Sequence, residues 1–128
     1  MKCLADTHLL LWSIGDVGRL SATTRTALTD PDNVPMFSVV SVWEVAIKAA
    51  KRLSGFAIDP RVMRTDLLAH GWVEIEVTAE HALAAGALPP IHGDPFDRML
   101  VAQATVEGAV LLTANRTVAR YLGPVRLV

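Results

Sequence analysis

The sequence predicts an α/β fold, specifically an α/β/α sandwich around a central, mainly parallel sheet. Three observations predict it. Short apolar runs alternate with helix-patterned stretches along the whole chain. The stretches between the runs are long enough to serve as crossovers, which parallel pairing requires. The opening run at 2–5 lacks apolar–polar alternation, as a strand buried on both faces should. With 128 residues and 52% hydrophobic content, the chain has material for one core and is expected to be a single domain over 1–128. The same composition excludes intrinsic disorder.

Each element has its own signal. Residues 2–5 form the first strand, ending at Asp6, and 7–14 read as a helix broken by Gly15 and Gly18. Ser21 is an N-cap for a helix over 22–29, closed by Asp30-Pro31-Asp32-Asn33. Residues 34–40 read as the second strand, with Pro35 near its start. Val42, Trp43, Ala46, Ile47 and Ala50 recur at helical spacing and predict a helix over 42–52, with Gly55 marking the end of that region. Pro60 opens a helix over 60–69 and Gly71 closes it. Trp72 to Val77 alternates apolar and acidic residues, as a half-buried edge strand would. An alanine-rich helix follows at 79–87, and the clearest helix of the chain runs over 95–107 from Asp94-Pro95 to Gly108. A strand at 109–113, a short helix at 116–121 and a strand at 125–128 complete the pattern.

Charge and ends narrow the function. Twelve Lys and Arg stand against thirteen Asp and Glu, a net charge of −1, which argues against a simple basic nucleic-acid-binding module. Cys3 is the one cysteine, so neither an intrachain disulfide nor a cysteine-rich zinc site is available. It reads as a small buried hydrophobe in a reducing compartment. The N-terminal apolar stretch is too short and too charged for a signal peptide or a membrane span. A cytoplasmic protein without membrane contact is expected.

In open α/β sheets, ligands bind where strands end and helices begin. Acids gather at those junctions here. Asp6 follows the first strand, Glu44 lies one turn past Ser41, Asp94 and Asp97 open the long helix, and Asn115 follows the strand at 109–113. Each has a local explanation. Asp6, Asp94 and Asn115 are N-cap candidates, Ser41 and Glu44 fit a capping box, Glu44 can pair with Lys48, and Asp97 suits a helix dipole. As a set they are harder to dismiss. Carboxylates converging on one cleft repel, and a hard divalent cation such as Mg²⁺ or Mn²⁺ relieves that repulsion.

LADTHLLLW (4–12), SVVSVWEVAIK (38–48), LPPIHGDPFDRMLVAQATVEGAVLLTAN (88–115) and RYLGPVRL (120–127) together resemble the PIN-domain ribonucleases of the VapC toxin type. The likeness covers essentially the whole chain, and DPFDR is its most specific part. It implies a PIN fold and Mg²⁺- or Mn²⁺-dependent endonucleolytic cleavage of single-stranded RNA by metal-activated water. It also implies a type II toxin–antitoxin context, a VapB-like antitoxin as partner, and a homodimer. Asp6, Glu44 and Asp97 match the family's acidic metal ligands, and Asp94 matches a position beside the site. The family's fourth acidic position is occupied here by Asn115, which can accept a hydrogen bond but carries no charge. A catalytically weakened RNA- or partner-binding module is therefore an alternative, and a metal hydrolase of small phosphoesters is a third.

Other residues are assigned around that site. Thr7 and Thr113 adjoin it and could hold a water or a phosphate, or be ordinary strand-end residues. His92 reads as a structural or solvated loop residue rather than a proton shuttle. Lys48, Lys51, Arg52, Arg98 and Arg116 are candidate RNA-phosphate contacts or a solvated basic surface. Trp12 and Trp43 read first as core, with base stacking as the functional option. Leu9 to Trp12 and the 79–88 helix hold more apolar surface than one face needs, which suggests self-association. If the four site acids are set aside, nine acids face twelve bases, leaving the remainder at +3. Near-neutrality then reads as an acidic pocket in a mildly basic surface.

Overall fold

A computed structural model describes residues 1–51 and 58–128. Strands β1 (Lys2–Ala5), β2 (Val34–Ser38), β3 (Val73–Ile75), β4 (Val110–Thr113) and β5 (Val125–Leu127) form one sheet in the order β3-β2-β1-β4-β5. Every pairing is parallel, so the mainly parallel sheet expected is wholly parallel. The order builds outward from β1 in one direction through β2 and β3, then returns to place β4 and β5 on its other side. The reversal lies between β1 and β4, which is where such sheets open a crevice at their carboxyl ends.

Helices α1 (Thr7–Gly15), α2 (Ala22–Thr29), α3 (Val39–Ala50), α4 (Pro60–Ala69), α5 (Ala79–Ala87) and α6 (Pro95–Glu107) cover the two faces. Alternation along the strands builds two cores. Cys3, Ala5, Phe37 and Leu112 point to one face and pack with Leu9 and Leu10 of α1, Val45 of α3, and Met63 and Leu67 of α4. Leu4, Met36 and Leu111 point to the other and pack with Leu100, Val101 and Ala104 of α6. Both faces are buried, which is why β1 shows no polar alternation. Replacing the fully buried Phe37 by alanine would cost about 3–5 kcal/mol.

Caps set most helix ends. Ser21 Oγ accepts from the Thr24 N–H, and Asp59 accepts from the Arg61 N–H ahead of Pro60. Gly108 ends α6 with φ 66°, a left-handed conformation that a side chain would disfavour. Three differences from the sequence reading exceed a one-residue shift at an element's end. The second strand stops at Ser38, whose Oγ accepts from the Val40 N–H, so α3 begins three residues early. The capping box at Ser41 and Glu44 is thus not formed, and Ser41 is buried in the first turn of α3. The edge strand shrinks to β3, and the short helix at 116–121 is a single 3-10 turn over Val118–Arg120. Arg52 and the region around Gly55 lie outside the described residues.

The apolar surplus read at the N-terminus is absorbed within the chain. Leu9 and Leu10 are buried, and Leu11 and Trp12 pack against the same core. No described helix is long and apolar enough to cross a membrane.

Candidate metal centre

Asp6 leaves β1 at the reversal point. Its N–H donates to Leu112 O across the sheet at 3.1 Å, which fixes the residue against the end of β4. Its side chain is 4% exposed. Oδ1 accepts from the Leu9 N–H at 2.9 Å, capping α1, and Oδ2 accepts from the Thr113 hydroxyl at 2.6 Å. The Thr113 Oγ1 in turn accepts from the Asn115 N–H at 3.0 Å, which aims its proton at Asp6. Burial pushes the Asp6 carboxyl up from its ordinary value, and the bonds from Thr113, Leu9 and Ala114 work against that rise.

Glu44 projects from the second turn of α3. Thr7 donates its hydroxyl to Oε1 at 2.6 Å, and Lys48 Nζ lies 3.3 Å from Oε2. The Ser41 Oγ lies 3.0 Å from Thr7 Oγ1, which packs the hydroxyl pair beneath the acid. Thr7 and Thr113 therefore orient site carboxylates, the first Glu44 and the second Asp6.

Asp94 and Asp97 belong to the start of α6. Asp94 Oδ1 caps the helix by accepting from the N–H groups of Phe96 and Asp97 at 2.8 and 3.1 Å. Asp97 Oδ2 lies 2.8 Å from His92 Nε2. Among the described residues, His92, Asp94 and Asp97 form the group whose ligand atoms lie within 4.8 Å of one another. Asp6 and Glu44 are outside that tight group but within electrostatic reach. Burial raises the Asp97 carboxyl first, the His92 bond opposes this, and the charges of Asp94, Asp6 and Glu44 push it up further. The acids expected from different strand ends thus feel one another at one place.

Carboxylate oxygens dominate the donor set, joined by one imidazole. That set suits a hard divalent cation of the Mg²⁺ or Mn²⁺ kind and not a thiolate-seeking metal. Lys48 faces Glu44, yet no described Lys or Arg makes an ion pair with Asp6, Asp94 or Asp97.

Asn115 plays a local part. Its Oδ1 accepts from the Thr117 and Val118 N–H groups at 2.8 and 3.2 Å, capping the 3-10 turn. An aspartate would make the same bonds, so this position keeps its structural role without its charge.

The basic residues separate into different duties. Arg98 is not a free phosphate contact. Its NH1 donates to Pro89 O, His92 O and the Tyr121 hydroxyl, and its NH2 donates to Ala85 O and Leu88 O. The guanidinium closes the C-terminus of α5 and ties down the loop carrying His92. Tyr121 assists, since its hydroxyl accepts from the His92 N–H at 3.1 Å. Lys48 pairs with Glu44, while Lys51 and Arg116 are exposed. Trp43 is 62% exposed, contrary to the core reading, whereas Trp12 packs as expected. His92 was the residue least legible in advance. Its one signal was a place two residues before Asp94, in a loop bracketed by Pro90 and Pro95.

Comparison with known proteins agrees with this geometry. A family model for the PIN domain matches residues 3–122. Ribonuclease VapC22 of Mycobacterium tuberculosis is 30% identical over 122 residues, covering 94% of this chain and 92% of that protein. VapBC2 from Rickettsia felis, solved bound to a DNA fragment from its promoter, superposes with a TM-score of 0.72 at 18% identity and covers 99% of this chain and 98% of that one. A toxin–antitoxin complex from Klebsiella pneumoniae superposes with a TM-score of 0.64 at 21% identity, covering 97% and 95%. The superpositions establish a shared fold, while the sequence-level matches establish descent: the chain belongs to the PIN-domain family, in its VapC branch.

Proposed function

We propose that this protein is the toxin of a type II toxin–antitoxin pair, a Mg²⁺- or Mn²⁺-dependent endoribonuclease that cuts single-stranded RNA. The gathering of His92, Asp94 and Asp97 within 4.8 Å, with Asp6 and Glu44 near enough for their charges to act on Asp97, is the observation that carries this reading. Asp6, Glu44 and Asp97 would hold the ion, with Asp94 and His92 beside Asp97. When bound, a divalent ion supplies an activated water and stabilises charge on a phosphodiester.

The chain's own groups prepare that site. The Thr113 hydroxyl and the Leu9 N–H hold Asp6 with both oxygens engaged. The Thr7 hydroxyl fixes Glu44, and His92 Nε2 fixes one oxygen of Asp97. Lys48 offsets part of the charge without occupying the acids between β1 and α6. Lys51 and Arg116 are exposed and free to meet backbone phosphates, which position RNA without reading its sequence. Arg52 is proposed for the same role from its sequence alone.

The relatives support the biological setting. VapC22 is named a ribonuclease, and the structural neighbours are toxin–antitoxin complexes. A VapB-like antitoxin is therefore the proposed partner, a homodimer the proposed toxin form, and the cytoplasm the proposed place of action. The weakened-module alternative is not the favoured reading, because the relative 30% identical to this chain is named a ribonuclease.

The experiment is cleavage of a labelled single-stranded RNA with and without Mg²⁺ or Mn²⁺. Cleavage that requires the ion and disappears in excess EDTA supports the proposal. Cleavage that persists in EDTA contradicts it, as does a protein that binds Mn²⁺ yet leaves RNA intact.

A further inference from the structure

Trp43 is the residue before Glu44 on α3, and Phe96 is the residue before Asp97 on α6. The two rings meet edge to face, with centroids 5.3 Å apart and planes at 66°. Two helices thus each bring an aromatic alongside a site acid, and the aromatics lock together. Phe96 is half-buried, whereas Trp43 leaves 62% of its surface to solvent. An edge-to-face contact with a single ring holds the indole in place and leaves at least one of its two faces available.

The helix that carries Trp43 also carries Glu44 and Lys48 and is followed by Lys51. Among the described residues of α3, Trp43 is the one large hydrophobic side chain that is exposed. Glu44 follows it in the chain, Lys48 lies just over one turn on, and the exposed Lys51 lies two turns on, about 12 Å along the axis. A single exposed aromatic on this helix is a small apolar interface for a second copy of the chain. It suits a partner that combines a flat apolar face with negative charge.

We infer that Trp43, braced by Phe96, is a stacking platform for an unpaired RNA base next to the phosphodiester that is cut. This inference rests on the ribonuclease reading and deepens it. Every base has a π-face, so the platform binds without strong sequence preference. A base inside a duplex is already stacked on both sides, so the same contact favours single strands.

The test is fluorescence anisotropy of a short labelled single-stranded RNA with cleavage-resistant phosphorothioate linkages, in Mn²⁺. Trp43→Leu should weaken binding about tenfold to a hundredfold, while Trp43→Phe stays within about threefold of wild type. Mn²⁺ affinity should be unchanged in both variants, because neither removes a carboxylate. A wild type that cuts RNA alongside a Trp43→Leu variant of equal RNA affinity overturns the platform and leaves the ribonuclease reading intact. A Trp43→Leu variant that loses self-association on sedimentation but keeps its RNA affinity assigns the face to a second copy, which also overturns it. A wild type that neither binds nor cuts RNA removes the ribonuclease reading and the platform with it.

Discussion

Two buried polar clusters in this molecule are built on opposite logic. Where α5 meets α6, His81 is 1% exposed and its Nε2 lies 2.7 Å from Glu107 Oε1. Its Nδ1 accepts from the Thr78 N–H, completing a capping box with the Thr78 hydroxyl, and lies 3.4 Å from the Gln103 amide. Nearly every group there has a partner of complementary character, although Gln103 Oε1 has none. At the carboxyl ends of the strands, Asp97 is raised first by burial and then by the like charges of Asp94, Asp6 and Glu44. The first cluster pairs its charged and ring groups as folded and holds two helices together. The second is held in place by hydroxyl and backbone donors, and among the described residues no Lys or Arg pairs with Asp6, Asp94 or Asp97. Burial alone does not mark function; burial with uncompensated repulsion does.

The sharpest way to break this comparison is to substitute one residue from each cluster. Asp97→Asn should lower RNA cleavage by at least about a hundredfold, in line with losing charge stabilisation at a reacting centre. Initial rates at saturating Mn²⁺ provide the check. His81→Ala should leave cleavage within about twofold while lowering stability by about 1–3 kcal/mol in urea, because it strands its buried partners. If the two substitutions give the same pattern, the division between the clusters is wrong.

Metal should act on one cluster only. Saturating Mn²⁺ at about a hundred times its Kd should stabilise the wild type by about 2.7 kcal/mol. Thermal unfolding should show the rise in the wild type and in His81→Ala, and little of it in Asp97→Asn.

The pH dependence of the metal-free protein follows from the raised carboxyls. Asp6 and Asp97 bind protons more tightly when folded than when unfolded. The folded state therefore holds more protons above the ordinary carboxyl value, and stability falls as pH rises through the raised values. Asp97→Asn should flatten that slope, and urea midpoints measured in EDTA across the acid range would show it.

The smallest expected effect concerns the support of the site. Arg98→Lys keeps the charge but cannot reproduce the fork to Ala85, Leu88, Pro89 and His92 carbonyls. A loss of about 1–2 kcal/mol in stability is expected. Mn²⁺ affinity should also fall a few-fold, because the loop holding His92 against Asp97 is loosened.

Much of the architecture could be read from local chemistry. Ser21, Pro60 and Pro95 carry start signals that tertiary contacts do not override, and α2, α4 and α6 begin where those residues direct. The start of α3 was ambiguous, because SVVS offers two serines and the 41–44 pattern imitates a capping box. Sheet register decides it: Ser38 pairs with Ile75 at the end of β3, and the chain turns into a helix there. The carboxylates were legible because strand ends and helix starts are visible in sequence. The duty of Arg98 was not, since its five acceptors come from residues 85 to 121. Trp43 was misread because helical periodicity gives the apolar positions and not which of them a neighbouring element covers.

The central claim is that the acids beyond the strand ends form a cation site and the His81 cluster does not. A Mn²⁺ binding isotherm by calorimetry on wild type, Asp97→Asn and His81→Ala tests it most directly. Saturable binding by the wild type, unchanged in His81→Ala and at least about tenfold weaker in Asp97→Asn, is the predicted result. Binding of equal strength in all three proteins, or none in the wild type, would contradict the claim.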